Sequence, residues 1–266
     1  MSTSISPWDK QTQVTVWRLK QPDKRYLWSK RAIDVIVALV ALVLLSPLLV
    51  VIACSIKLDS PGPIIFQQRR IGVNRRRTGD TAPPGVRHRS NNGNRPFRER
   101  RRHDLCGRPF TMYKYRSMDA NSDDTAHRQF VEKYINGFLD PTNAPSARTP
   151  FKIASDNRVT RVGRILRSTS LDELPQLVNV LKGDMSLVGP RPPLQYETEM
   201  YSELHKRRLE VTPGITGLWQ VNGRSNVPFA KMVDLDIEYI ENRSLRLDLT
   251  VILATFPTVI SRKGAE

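Results

Sequence analysis

Ala32–Ile56 reads AIDVIVALVALVLLSPLLVVIACSI, and Asp34 is the one charge in these 25 positions. At about 1.5 Å per residue, a continuous helix of this length reaches roughly 37 Å, enough to cross a hydrocarbon core of about 30 Å. Ser46-Pro47 stands near its middle. Proline has no N–H and its ring clashes with the preceding turn, so a helix breaks or kinks there. Both flanks are basic: Lys20, Lys24, Arg25, Lys30 and Arg31 precede the run, and Lys57, Arg69 and Arg70 follow it. The cytoplasmic bias of Lys and Arg holds both ends on one side. A helix broken at Ser46-Pro47, entering and leaving by the same face, satisfies both facts, with Ser46 placed to bond a carbonyl that Pro47 frees. A kinked helix that crosses satisfies the length, and membrane helices tolerate proline. On the residues alone the two readings stand even.

Outward from this run the chain is polar. It has 266 residues, 26% of them charged, and its mean hydropathy is −0.41. That excludes a multi-span membrane protein and describes a soluble body with one hydrophobic appendage. The net charge is +16. Between Arg69 and Arg108, 13 arginines face only Asp80, Glu99 and Asp104. Such a run favours nucleic acid, anionic lipid or phosphorylated substrates. Cys54 and Cys106 form neither a disulfide framework nor a CxxC pattern, which points to a reducing compartment. The polar stretch ahead of Ala32 does not fit a secretory leader.

The pattern divides the chain into a flexible tail (1–29), a membrane helix (30–58) and a polar body (59–266). The class is α+β, mainly helical, with a short β-hairpin and interfacial helices. Ile64–Arg69 and Phe110–Arg116 read as strands rich in Ile, Phe, Thr and Tyr. The Arg-, Asn-, Gly- and Pro-rich stretch 72–107 between them reads as an insertion at the hairpin tip. Helical spacing marks Asp124–Leu139, Ser170–Leu181 and Phe229–Glu241, with Leu194–Leu209 as a polar surface helix. Pro213–Arg224 is turn-like. Leu247–Ile260 is apolar but too short to span, and suits either a core or an interfacial helix.

No GxGxxG, GxxxxGK, HExxH or GxSxG occurs, and four histidines with two cysteines do not suit a zinc site or a Cys-His nucleophile, so the chemistry falls to carboxylates and cations. The sharpest local site is Ser170-Leu171-Asp172-Glu173-Leu174-Pro175-Gln176. Ser170 and Glu173 fit a capping box, which puts Asp172 in a first helical turn. Read plainly, Glu173 caps and Asp172 complements the helix dipole. Read functionally, the same helix end holds a phosphate beside a carboxylate nucleophile. Lys114, Arg167, Arg191 (in Gly189-Pro190-Arg191-Pro192-Pro193) and Arg224 are cations of the kind phosphate chemistry requires. Asp236 and Asp248 are candidate ion-pair partners for them.

Taken together, these segments resemble the bacterial monotopic phosphoglycosyl transferases. The resemblance runs through Lys30-Arg31-Ala32-Ile33-Asp34, the apolar run with Ser46-Pro47, Ser60-Pro61-Gly62-Pro63, KYRSM at Lys114–Met118, SLDELPQLVNVLKGDMSLVGPRP at Ser170–Pro192, and PGITGLWQVNGR at Pro213–Arg224. The long DELPQ-to-GPRP run is its specific part. The 72–107 stretch exceeds the family's short hairpin turn, and the tail lies outside the pattern.

The resemblance implies a re-entrant helix at the cytoplasmic face of the bacterial inner membrane, and makes the polar body (59–266) the catalytic sugar transferase domain. It also implies transfer of a sugar 1-phosphate from a UDP-sugar to undecaprenyl phosphate, with release of UMP, in exopolysaccharide, capsule or O-antigen synthesis. By that resemblance Asp172 is the nucleophile, forming an aspartyl phosphosugar. Glu173 serves Mg²⁺ and proton handling, and Lys114, Arg167, Arg191 and Arg224 bind substrate. Membrane lipid is an expected partner, nucleic acid is not, and a homo-oligomer stays open. The competing reading is a membrane-tethered protein that binds nucleic acid or anionic lipid through the Arg-rich segment, which lacks the interleaved aromatics of a folded recognition motif.

Overall fold

The structure is a computed structural model and describes residues 23–74, 107–118, 125–137, 158–223 and 227–260. Helix α1 spans Lys24–Leu44 and α2 spans Ser46–Asp59. Asp23 caps α1, its carboxylate accepting from the Arg25 amide, so the helix starts within the stretch read as tail. The two helices meet at Leu45 with a bend of 64°. Pro47 cannot donate to the carbonyl four residues back, that of Val43. The Ser46 hydroxyl donates to that carbonyl instead, at 2.8 Å. Among the described residues no single helix is long and apolar enough to cross a membrane, but this bent pair passes the same test by length and composition. Its apolar side chains face outward: Ile36 is 60% exposed, Val43 64%, Leu44 72% and Val50 62%. Contiguous exposure of this kind marks an interaction surface.

The inward side of α1 is fastened by polar groups. Asp34 Oδ1 accepts from the Leu187 amide at 3.1 Å. Arg31 donates to the carbonyls of Val180 and Leu181. Tyr26 and Lys30 reach Asp248 Oδ2 at 3.0 and 3.1 Å, and Tyr239 donates to Asp248 Oδ1 at 2.7 Å.

Strands β1 (Ile65–Ile71) and β2 (Pro109–Tyr115) pair antiparallel from Ile65↔Tyr115 to Ile71↔Pro109. The amide of Gly72 donates to Arg108 O, and that of Arg108 to Val73 O, carrying the ladder towards the tip. Residues 75–106, with most of the Arg-rich segment, lie outside the described residues. Then come α3 (Thr125–Ile135), α4 (Arg161–Thr169), a 3₁₀ turn at Leu171–Glu173, α5 (Gln176–Lys182) and β3 (Ser186–Val188). After these follow α6 (Gln195–Glu199), α7 (Glu203–Lys206), a 3₁₀ turn at Arg207–Glu210, β4 (Gly214–Thr216), α8 (Leu218–Asn222), α9 (Phe229–Asn242) and α10 (Leu245–Ile260). The fold is mainly helical with two small sheets, the second a parallel pair of β3 and β4.

Leu194–Leu209 and Pro213–Arg224 also differ from the sequence reading. The single polar surface helix expected over Leu194–Leu209 is broken in three, because Ser202 and His205 form a capping box that starts a new helix. It is also partly internal: Glu197, Thr198, Tyr201 and Arg208 are buried, Arg208 donating to Asp236 Oδ2 at 2.7 Å and to the Tyr201 hydroxyl at 2.9 Å. Pro213–Arg224, read as turn-like, contains β4 and α8. The parallel pair needs glycine on both sides: a Cβ on Gly189 would lie 2.5 Å from Thr212 O, and one on Gly214 would overlap the Gly189 amide nitrogen.

The central core joins α1, β2, α5, β3, α9 and α10 through Ala38, Met112, Val180, Val188, Tyr239 and Val251. A separate cluster of Ile52, Ile56, Tyr115 and Leu166 packs α2 against β2 and α4. Burial of such side chains stabilises by roughly 1.5–3 kcal/mol each. α10 is two-sided: Val251 and Asp248 are buried, while Leu249, Leu253 and Phe256 are exposed.

Candidate active site

Thr160 starts α4, its hydroxyl accepting from the Gly163 amide at 3.0 Å, and Asp59 at the end of α2 accepts from the Val162 amide at 3.0 Å. The helix ends at Ser170, whose φ of 58° and ψ of 16° are left-handed. Ser170 therefore closes α4, its amide donating to Arg167 O at 3.4 Å, and its side chain makes no capping bond to the next turn. The capping box expected from Ser170 and Glu173 is absent, because a left-handed residue cannot present its side chain as an N-cap. Asp172 and Glu173 stand instead in a 3₁₀ turn between two helices. Leu171 and Leu174 pin this turn to the α2 cluster, and Leu174 also packs on the central core.

Two cations converge on Glu173. Lys114 Nζ lies 2.9 Å from Oε1 and Arg191 Nη1 lies 3.5 Å from the same oxygen. Asp172 is its chain neighbour, and Arg167 lies in the last turn of α4, just ahead of the carboxylates. The structure thus gathers Lys114, Arg191 and Glu173 directly and holds Asp172 and Arg167 beside them. Arg224 lies outside the described residues. Asp236 and Asp248 do not serve these cations: Asp236 pairs with Arg208 and Asp248 with Lys30.

The Lys114-Tyr115-Arg116 motif explains itself in three contacts. Lys114 takes Glu173. The Tyr115 hydroxyl donates to Leu49 O in α2 at 3.0 Å. Buried Arg116 donates to the carbonyls of Ile56, Ser60 and Pro61, satisfying the C-terminal groups that a helix end leaves open. One strand therefore carries a site cation and grips the bent helix pair.

Asn179, fully buried, fixes the same strand from the other side. Its Oδ1 accepts from the Tyr113 amide at 3.0 Å and its Nδ2 donates to Thr111 O at 2.7 Å. Sequence reading did not single out Asn179; the only signal was an Asn inside an otherwise apolar helical stretch.

A polar cavity opens beyond Arg191, lined by Arg70, His127, Arg191, Pro192, Glu197, Arg208 and Met232. Burial, then the neighbouring Arg191 charge, pushes the Arg70 guanidinium down to about 10. Burial pushes the Asp236 carboxyl on the far side of Arg208 up to about 6, against the pull of that arginine. Among the described residues no three His, Cys, Asp or Glu side chains converge as a metal cage. The carboxylates at hand are the adjacent pair, Asp172 and Glu173. Magnesium binds through one or two carboxylates and completes its shell with water and substrate phosphates, so the pair fits it without a cage.

The model of the family described as bacterial sugar transferase matches residues 25–78 and 86–262, a span that includes the bent helix pair, the carboxylate turn and both cations on Glu173. The chain belongs to the bacterial sugar transferase family. As a bacterial sugar transferase it is similar to the exopolysaccharide production protein ExoY of Sinorhizobium fredii, with 35% identity over 89% of this chain and 88% of that one. It is 36% identical to the UDP-glucose:undecaprenyl-phosphate glucose-1-phosphate transferase of Caulobacter vibrioides, over 89% of this chain and 71% of that one. It is 35% identical to the galactosyl transferase CpsE of Streptococcus agalactiae over 95% of this chain, and spans 47% of that longer relative.

Proposed function

We propose that this bacterial sugar transferase moves a sugar 1-phosphate from a UDP-sugar to undecaprenyl phosphate, releasing UMP, and so begins assembly of an exopolysaccharide, capsule or O-antigen glycan. The observation that carries the reading is the convergence of Lys114 and Arg191 on Glu173, next to Asp172, in a turn packed directly against the bent apolar helix pair. Relatives whose names state this reaction support it.

A carboxylate oxygen of Asp172 attacks the phosphorus that carries the sugar. The bond from that phosphorus to the bridging oxygen breaks, and UMP leaves with the electron pair. An oxygen of undecaprenyl phosphate then attacks the same phosphorus, and the Asp172 carboxylate is released. Lys114, Arg167, Arg191 and Arg224 counter the charge on the phosphoryl oxygens, the main task of a site for phosphoryl transfer. Bound Mg²⁺, held by Glu173 with the substrate phosphates, would add a Lewis acid at these oxygens.

The acceptor's prenyl chain belongs in lipid while its phosphate must reach Asp172. α1 and α2 supply that geometry as a re-entrant hairpin at the cytoplasmic face of the membrane, with the broken peak at Ser46-Pro47 inside the lipid and the carboxylate turn resting on α2. The basic flanks on both sides support this topology.

The test is a panel of UDP-sugars with undecaprenyl phosphate and Mg²⁺, following UMP. One sugar should be turned over, and omitting the acceptor should leave a phosphosugar adduct on Asp172 detectable by mass spectrometry. Absence of UMP with every donor tried overturns the function. UMP release without an adduct on Asp172 overturns the two-step route.

A further inference from the structure

Arg191 projects from a segment whose neighbours on both sides are tied down. Ahead of it, the Gly189 amide donates to Thr216 O at 2.9 Å and Pro190 O accepts from the Gly214 amide at 2.9 Å. Behind it, Pro193 O accepts from the Ile71 amide at 2.9 Å. The remaining flank, the Pro192 carbonyl, accepts from Arg70 Nη1 at 3.0 Å. Arg70 is 7% exposed, and its guanidinium is committed to the protein. Nε and Nη2 donate to Gln68 Oε1 at 3.0 and 2.7 Å, and Nη1 stands 3.8 Å from Glu197.

A guanidinium buried this deeply is costly to desolvate, and its partners are a backbone carbonyl, a side-chain amide and, at 3.8 Å, the Glu197 carboxylate. Two features give it a use. Its planar fork fixes the Pro192 carbonyl in direction, which a lysine ammonium cannot do. Its charge also borders the same cavity as Arg191. Like charges repel across that space, which favours Arg191 turning towards Glu173, where its Nη1 is found 3.5 Å from Oε1. We propose that Arg70 is the positioning residue of Arg191: it holds the Pro-Arg-Pro-Pro segment by the Pro192 carbonyl and, with its charge behind, directs the Arg191 guanidinium to the carboxylate turn. This role rests on the proposed transfer reaction, in which Arg191 must meet phosphoryl oxygens. A displacement of about 1 Å at such a group costs on the order of a hundredfold in rate.

The experiment measures kcat for UMP release per folded molecule, with melting temperature measured alongside. The variants are Arg70→Met, Arg70→Lys and Gln68→Ala, the last loosening the fork from its half-buried partner in the middle of β1. kcat should fall by roughly a hundredfold in Arg70→Met and several-fold in Gln68→Ala, with lysine restoring only part, because the loss is one of placement. The Gln68→Ala loss should shrink to less than about twofold in an Arg191→Lys background, since residues acting through one another are not additive. Rates per folded molecule equal to wild type, or the same loss in both backgrounds, overturn the proposal. If Arg70→Met does not fold, Gln68→Ala decides on its own. An inactive wild type removes the transfer reaction and this role together, whereas an active wild type with additive variants removes this role alone.

Discussion

The Ser46 hydroxyl donates to the Val43 carbonyl at 2.8 Å, and Val43 is the residue whose helical partner would have been the missing amide of Pro47. The carbonyl that Pro47 strands is thus satisfied by a side chain, in a segment whose outer face is apolar. Pro47→Leu restores an amide and removes the ring clash, and should favour one continuous helix of spanning length. The expected result is mixed topology. Single cysteines at Ser4 and Ser60, in a background without Cys54 and Cys106, are labelled with an impermeant reagent before and after lysis. In the otherwise wild-type chain both should react only after lysis. Reaction of Ser4→Cys in intact cells contradicts the re-entrant hairpin.

Asp172→Asn should abolish UMP release. Asn keeps the shape but has no anionic oxygen to attack phosphorus, and its neighbour Glu173, already engaged by Lys114 and Arg191, is not free to replace it. A tenth of wild-type turnover in a clean preparation rules Asp172 out as nucleophile.

Asn179→Leu should lower stability by about 3 kcal/mol, because the Tyr113 amide and the Thr111 carbonyl lose buried partners. It should also slow turnover, since Lys114 follows directly in the strand that Asn179 holds. A melting temperature within one or two degrees of wild type argues against the clamp.

Ser170 carries a left-handed backbone that costs a non-glycine residue roughly 1–2 kcal/mol. Ser170→Gly should be neutral or stabilising, while Ser170→Val should destabilise and displace the Asp172 turn. Thermal melts with UMP-release rates distinguish them; equal behaviour of the two variants refutes the backbone argument.

Burial, then the charge of Arg208, lowers the pKa of His205 below its ordinary value. The folded state thus binds this proton more weakly than the unfolded state. The associated stability is present above about pH 6.5 and is lost as pH falls through that value towards the folded pKa. His205→Gln should flatten this part of the stability profile in denaturant titrations from pH 7.5 to pH 5. An unchanged slope assigns the acid sensitivity to other groups.

The residues differ in how plainly their sequence announces them. The β1–β2 hairpin was legible because Ile and Phe open β1 and Phe, Thr and Tyr recur along β2, and the helix break because proline acts locally. α9 and α10 follow from apolar spacing. The carboxylate turn misled because Ser-x-x-Glu is a local pattern, while Ser170 joins a helix anchored in the α2 cluster by Leu166 to one anchored in the central core by Leu177. α4 was not foreseen: of its nine residues only Val162 and Leu166 are apolar side chains that are buried or half-buried, and so short a helix depends on tertiary packing. The parallel β3–β4 pair is three residues long on each side, too short to carry a period of two. Asn179 and Arg70 matter through partners 66 or more positions away, such as Tyr113 and Pro192, so no local pattern exposes them.

The Asp248 contacts have a consequence for the order of assembly. Tyr26 and Asp248 stand 222 positions apart in the chain. During synthesis the bent helix pair leaves the ribosome long before α10 exists, so the proposed insertion can take place while Tyr26 and Lys30 still lack their partner. Contacts of such separation close late and slowly. On the proposed topology, membrane entry and completion of the body are separate events in time, and α10, made later, secures α1.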